Sequence, residues 1–79
     1  MTKNELNKYL CAIITTLNEV DFAPESMIYL AIGADFNKWQ TLKVILNQSG
    51  LATSTGDTMK ITAKGSELAK IINQTLIKL

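Results

Sequence analysis

Apolar residues recur at steps of three and four over the first twenty positions: Leu6, Tyr9, Leu10, Ile13, Ile14, Leu17 and Val20. At about 100° per residue these positions share one side of a helix. Thr2 stands before them with Glu5 three residues on, the spacing of a capping box. The pattern predicts a first helix over residues 3–18. Asp21-Phe22-Ala23-Pro24-Glu25 then interrupts the period. Proline suits the first position of a helix, and an acid beside it suits the helix dipole. A short second helix is therefore expected over 24–32, carrying Met27, Ile28, Leu30, Ala31 and Ile32 and stopped by Gly33.

Gly33-Ala34-Asp35 reads as a tight turn into a third helix, whose apolar stripe is Phe36, Trp39, Leu42, Ile45 and Leu46 and whose end is Ser49-Gly50. Its opposite face carries Asn37, Gln40, Thr41, Val44 and Gln48, with Lys38 and Lys43 at the edges. From Leu51 the period shortens. Leu51–Ser54 and Thr58–Ile61 read as two strands around a Gly56-Asp57 turn, Met59 and Ile61 alternating with Thr58 and Lys60. Thr62 is placed to cap a last helix over 63–79, with Leu68, Ile71, Ile72, Leu76 and Leu79 on its face and Ala69 and Thr75 beside them. Gly65 lies in its first turn, where glycine costs about 1 kcal/mol relative to alanine.

Length and composition narrow the function. The 79 residues, 47% hydrophobic and 19% charged, suit one folded domain over 1–79 and exclude a disordered chain. There is no histidine and one cysteine, Cys11, which removes the commonest general base, a disulfide framework and a Cys-rich zinc site. No metal, cofactor or small-molecule substrate is expected. Cys11, between Leu10 and Ile13, reads as a buried or half-buried filler, and Trp39 as core. Ser66 and Lys70 share a helix face, but a Ser-Lys dyad needs a buried lysine in a cleft, and no enzyme is expected. No apolar run nears the ~20 residues of a membrane span, and the polar N-terminus does not read as a signal peptide, so the expected location is cytoplasmic.

All eight basic residues are lysines. Residues 1–34 hold two lysines against four acids, 35–65 four against two, and 66–79 two against one, so positive charge gathers in the second half.

The stretch Leu46-Asn47-Gln48-Ser49-Gly50-Leu51, the Gly56-Asp57 turn, and Met59-Lys60-Ile61-Thr62-Ala63-Lys64-Gly65-Ser66-Glu67-Leu68 resemble the winged helix-turn-helix superfamily. The resemblance implies an α+β, mostly α domain: a three-helix core, a two-stranded wing and a C-terminal helix. It further implies a small transcription regulator that binds duplex DNA, with helix 3 in the major groove and the wing on the backbone. Asn37, Lys38, Gln40, Thr41, Lys43 and Val44 then stand where a recognition helix meets bases. Asn and Gln pair bidentately with adenine, lysine reaches guanine or phosphate, and valine touches the thymine methyl. Thr55, Lys60 and Lys64 are placed for phosphates, with Thr53 and Thr58 beside them. The wing tip, Ser54-Thr55-Gly56-Asp57-Thr58, holds one acid and no base, and the chain has no arginine. These features support the rival reading, a winged-helix protein-interaction module. A continuous positive strip from helix 3 to the hairpin would favour DNA.

The terminal helices carry more aliphatic residues than a small core absorbs. Leu68, Ile72, Thr75 and Leu79 follow heptad-like steps, widened by Ile71 and Leu76, and Tyr9, Ile13 and Leu17 extend the surface. A homodimer through these residues is expected.

Overall fold

The computed structural model describes residues 2–78, and the side chains of residues 2–74. Helix α1 (Lys3–Val20) begins where the sequence indicates: Thr2 Oγ1 accepts a hydrogen bond from the Glu5 amide at 3.1 Å. It runs two residues further than its apolar pattern predicts. Ile13, Ile14 and Leu17 are its buried contribution.

The segment after α1 differs from expectation. Asp21 turns the chain with a positive φ of 69°, and Phe22–Pro24 form a strand, β1, where the sequence pattern indicates only a break. Three residues are too few to show a period of two. Helix α2 (Glu25–Ile32) therefore starts at Glu25, with Pro24 as the residue before it rather than its first turn. Gly33 closes α2 in the left-handed conformation that glycine takes without a Cβ penalty. Asp35 then caps α3 (Phe36–Gln48), its Oδ1 accepting from the Lys38 amide at 2.8 Å.

Strands β2 (Ala52–Thr55) and β3 (Thr58–Ile61) form the expected hairpin across a two-residue turn, with Gly56 at φ 59°. The sheet has three antiparallel strands in the order β1-β3-β2, not two. Phe22 faces Lys60 and Pro24 faces Thr58 on one side of β3, while Thr53 and Thr55 face the same two residues on the other. Strand side chains alternate faces. One face therefore carries Met59, Ala52 and Ile61 toward the core, and the other carries Lys60, Thr53 and Phe22 outward.

Helix α4 (Ala63–Lys78) packs chiefly on α1. Its buried line is Gly65 and Ala69, with Leu68 partly buried beside them, whereas Ile71, expected on the packed face, is 58% exposed. Small residues allow close approach, so burial follows them rather than the largest side chains. The core joins Ile13, Ile14, Leu17, Ile28, Trp39, Leu42, Leu46, Ala52, Met59 and Ala69. This architecture is mostly helical α+β. Helices α2 and α3 cross a three-residue turn, a hairpin follows, and a last helix returns to α1, the order of a winged helix-turn-helix domain.

Candidate nucleic-acid interface

Trp39, Leu42 and Leu46 fix the roll of α3 by entering the core, so the opposite side of the helix must face out. Asn37, Gln40, Thr41, Val44 and Gln48 are all exposed there, as the spacing predicts. Phe36, expected on the buried stripe, is also exposed; it lies at the first turn, its ring 6.2 Å from that of Tyr29. Trp39 is 1% exposed and its indole N–H donates to Glu25 Oε1 at 2.9 Å, so its ring is closed to base stacking.

The hairpin is tied to α3. Asn47 Nδ2 donates to Ser54 Oγ at 3.2 Å and to the Lys43 carbonyl at 3.0 Å. The hairpin turn is also tied to α2, because the Glu25 amide donates to the Asp57 carbonyl at 2.7 Å. Thr53, Thr55 and Lys60 are exposed on the wing. The wing is short and held down at its tip.

The lysines bear on whether a positive strip joins α3 to the hairpin. Lys43 Nζ lies 3.1 Å from Glu25 Oε2, and Lys38 Nζ lies 3.8 Å from Glu5 Oε2 and 5.7 Å above the Tyr9 ring. Each lysine of α3 thus has an acid from another helix beside it. Asp57 joins Gln40, Lys43 and Ser26 around a cleft of about 410 Å³. Acids therefore stand beside both lysines of α3 and at the hairpin turn. Glu25 is the participant that the sequence pattern does not reveal; along the chain it reads only as a helix-dipole acid, and its partners lie 14 and 18 positions downstream.

Lys64, expected at phosphate, donates from Nζ to the Ser49 carbonyl at 2.9 Å, capping the end of α3. Its neighbours explain the rest of the Ile-Thr-x-Lys-Gly stretch. Thr62 Oγ1 accepts from the Gly65 amide at 3.1 Å and lies 2.6 Å from the Gly50 carbonyl. A Cβ on Gly65 would overlap the Leu51 carbonyl oxygen. The residues that carry the family resemblance thus join the end of α3 to the start of α4.

Among the residues expected between two copies, Ile13 and Leu17 are 0% exposed and have no surface to offer a partner; this corrects their assignment. Tyr9 and Leu68 pack partly on the core, Ile72 is half-buried, and Ile71 is exposed. The side chains of Thr75 and Leu76, and all of Leu79, lie outside the described residues. Other exposed large apolar side chains lie on other elements: Val20 and Phe22 on either side of Asp21, Met27 and Leu30 on α2, and Phe36 and Val44 on α3. Cys11, expected buried or half-buried, is exposed because it lies roughly a third of a turn from the centre of the α1 stripe. Ser66 Oγ donates to Asn18 Oδ1 at 2.8 Å across α1 and α4, and Lys70 is exposed, so the two form no dyad. Among the described residues no helix is long and apolar enough to cross a membrane, and no group of three or more Cys, Asp or Glu side chains is placed to hold a metal ion.

The chain is similar in structure to the transcriptional regulator homologue protein from Pyrococcus horikoshii OT3, with a TM-score of 0.78 and 22% identity over 96% of this chain and 85% of that one. At that identity the likeness is one of fold. No protein-family model and no curated protein matches the chain.

Proposed function

We propose that the protein binds duplex DNA as a small transcriptional regulator, α3 entering the major groove and the hairpin resting on the backbone. The observation that carries this reading is the row Asn37, Gln40, Thr41 and Val44. It is exposed on the second helix of a helix-turn-helix unit and flanked by a hairpin bearing Thr55 and Lys60. Amides and a hydroxyl at that spacing suit hydrogen bonds to base edges, and Val44 suits a thymine methyl. Lys60 on the outer sheet face suits phosphate, and so does Lys64 if its ammonium leaves the Ser49 carbonyl. The 22%-identical fold neighbour, described as a transcriptional regulator homologue, agrees with this reading. The function needs no catalytic group, and the compartment that fits it is the cytoplasm.

A homodimer would place two α3 helices at half-sites about 34–36 Å apart. Ile71, Ile72 and Leu68 on α4, with Tyr9 on α1, are the described part of the surface for it.

A second reading is a winged-helix module that binds protein. Two observations favour it: both lysines of α3 stand beside acids, and Met27 and Leu30 are exposed on α2. Titration of the protein against random-sequence duplex at two salt concentrations separates the readings. DNA binding gives an affinity that falls steeply with salt, because neutralised phosphates supply the non-specific term. Absence of binding at low salt removes the DNA reading and leaves the protein-binding one.

A further inference from the structure

Glu25 opens α2, yet its side chain is only 13% exposed, and the residue makes three contacts, two to α3 and one to the hairpin turn. Its Oε1 accepts the Trp39 indole N–H, its Oε2 faces the Lys43 ammonium, and its amide holds the hairpin turn through Asp57. The carboxylate is therefore fixed at both oxygens. Lys43 is less confined: it is long, 29% exposed, and lines the cleft with Gln40, Ser26 and Asp57 at the edge of the amide face of α3. A phosphate approaching α3 at this edge must take the ammonium from a carboxylate already 3.1 Å away. That carboxylate also repels the phosphate. Because the pair is partly shielded from solvent, added salt weakens it less than it weakens an exposed contact.

Resting on the duplex-binding reading, we propose that Glu25 is an internal counter-anion that withholds Lys43 from DNA. It lowers non-specific affinity and leaves base contacts from Gln40 and Thr41 to decide where the domain stays. Lys43 then adds nothing to loose encounters with the backbone. Glu25 acts through Lys43 and is a positioning residue.

The test uses the full chain and a labelled random-sequence duplex, with affinity followed by fluorescence anisotropy as salt rises. Glu25→Gln removes the charge but keeps an oxygen that can accept the Trp39 N–H. One further phosphate neutralised steepens the slope of log K against log salt by about 0.9, so Glu25→Gln loses roughly 3.5-fold more affinity than the parent between about 50 and 200 mM salt. At the low end it binds several-fold more tightly. Lys43→Gln in the parent leaves the slope unchanged, unlike an ordinary phosphate-contacting lysine, and the double variant loses the gain of Glu25→Gln. Circular dichroism verifies that each variant is folded at the assay temperature; Lys43→Gln alone decides the matter if Glu25→Gln is not.

Each outcome assigns a cause. If Glu25→Gln keeps the parent slope, or keeps its gain without Lys43, the proposal falls and duplex binding stands. The same holds if Lys43→Gln alone flattens the slope by the full value for one phosphate. If neither the parent nor Glu25→Gln binds duplex, both fall. Binding by Glu25→Gln but not by the parent supports both.

Discussion

At the residue scale, Gly65 shows how propensity can give the wrong sign at a single position. In the first turn of a helix, glycine is worse than alanine by about 1 kcal/mol, so propensity alone makes Gly65→Ala stabilising. The structure reverses the sign. Gly65 is buried, and an added Cβ would overlap the Leu51 carbonyl oxygen and stand 2.9 Å from Ile61 Cγ1. The first neighbour is backbone and cannot swing aside. Overpacking of this kind costs typically 1–3 kcal/mol, and here it also strains the joint at which Thr62 and Lys64 hold the end of α3. Gly65→Ala is expected to melt lower than the parent by roughly 4–8 °C for each kcal/mol of net loss. A higher melting temperature by circular dichroism would show that propensity wins and the close approach is absent. Glu25 follows the same logic. Alone it is an acid at a helix start, and only its neighbours Trp39 and Lys43 give it a further role.

At the scale of the element, α3 from Trp39 onward divides between a buried stripe and an exposed amide face, a division legible in the sequence, whereas Phe36 on the same stripe is exposed. Trp39, Leu42 and Leu46 enter the core at steps of three and four, and Gln40 and Thr41 are thereby turned out. Gln40→Ala with Thr41→Ala is expected to leave the melting temperature near the parent value, since both side chains are exposed and alanine favours helix. Discrimination between a selected duplex and a scrambled one should fall by about 1–3 kcal/mol for each base that a bidentate hydrogen-bond pair would have read. Competition binding measures this, and unchanged discrimination in the double variant would remove α3 as the reader. Helix α2 is the opposite case. Its eight residues carry one charge, Glu25, so composition does not distinguish its inside from its outside. Only packing shows that Ile28 is buried and Leu30 is 73% exposed.

The whole molecule sets the question of assembly. A single copy buries Ile13, Leu17 and Ala69 between α1 and α4, which uses part of the aliphatic surface that points to a dimer. Ile71 remains on the outside of α4. The dimer reading predicts that sedimentation equilibrium at micromolar concentration gives twice the chain mass of 8.7 kDa, and that Ile71→Glu returns it to 8.7 kDa. Ile71 suits this test because a charge at an exposed position leaves the core intact. A parent that runs at the single-chain mass throughout would remove the dimer, and with it the expectation of a two-fold DNA site.

Features that follow from the sequence alone rest on interactions closed within about four residues. Thr2 as a cap, Gly33 as a helix stop, the Gly56 turn and the inward alternation of Met59 and Ile61 are all local, and each is where its pattern puts it. Tertiary structure decides whatever needs distant chain segments to meet. Strand β1 exists because Phe22–Pro24 find β3 near residue 60; three residues without a period carry no sign of that pairing. The lysines of α3 stand beside Glu5 and Glu25 because α1 and α2 pack against it, so counting lysines along the chain overstates its open positive charge. Local sequence sets which way a side chain leaves its own element. Whether it then meets water, a core or an opposite charge depends on the neighbouring element, which only the closed fold supplies.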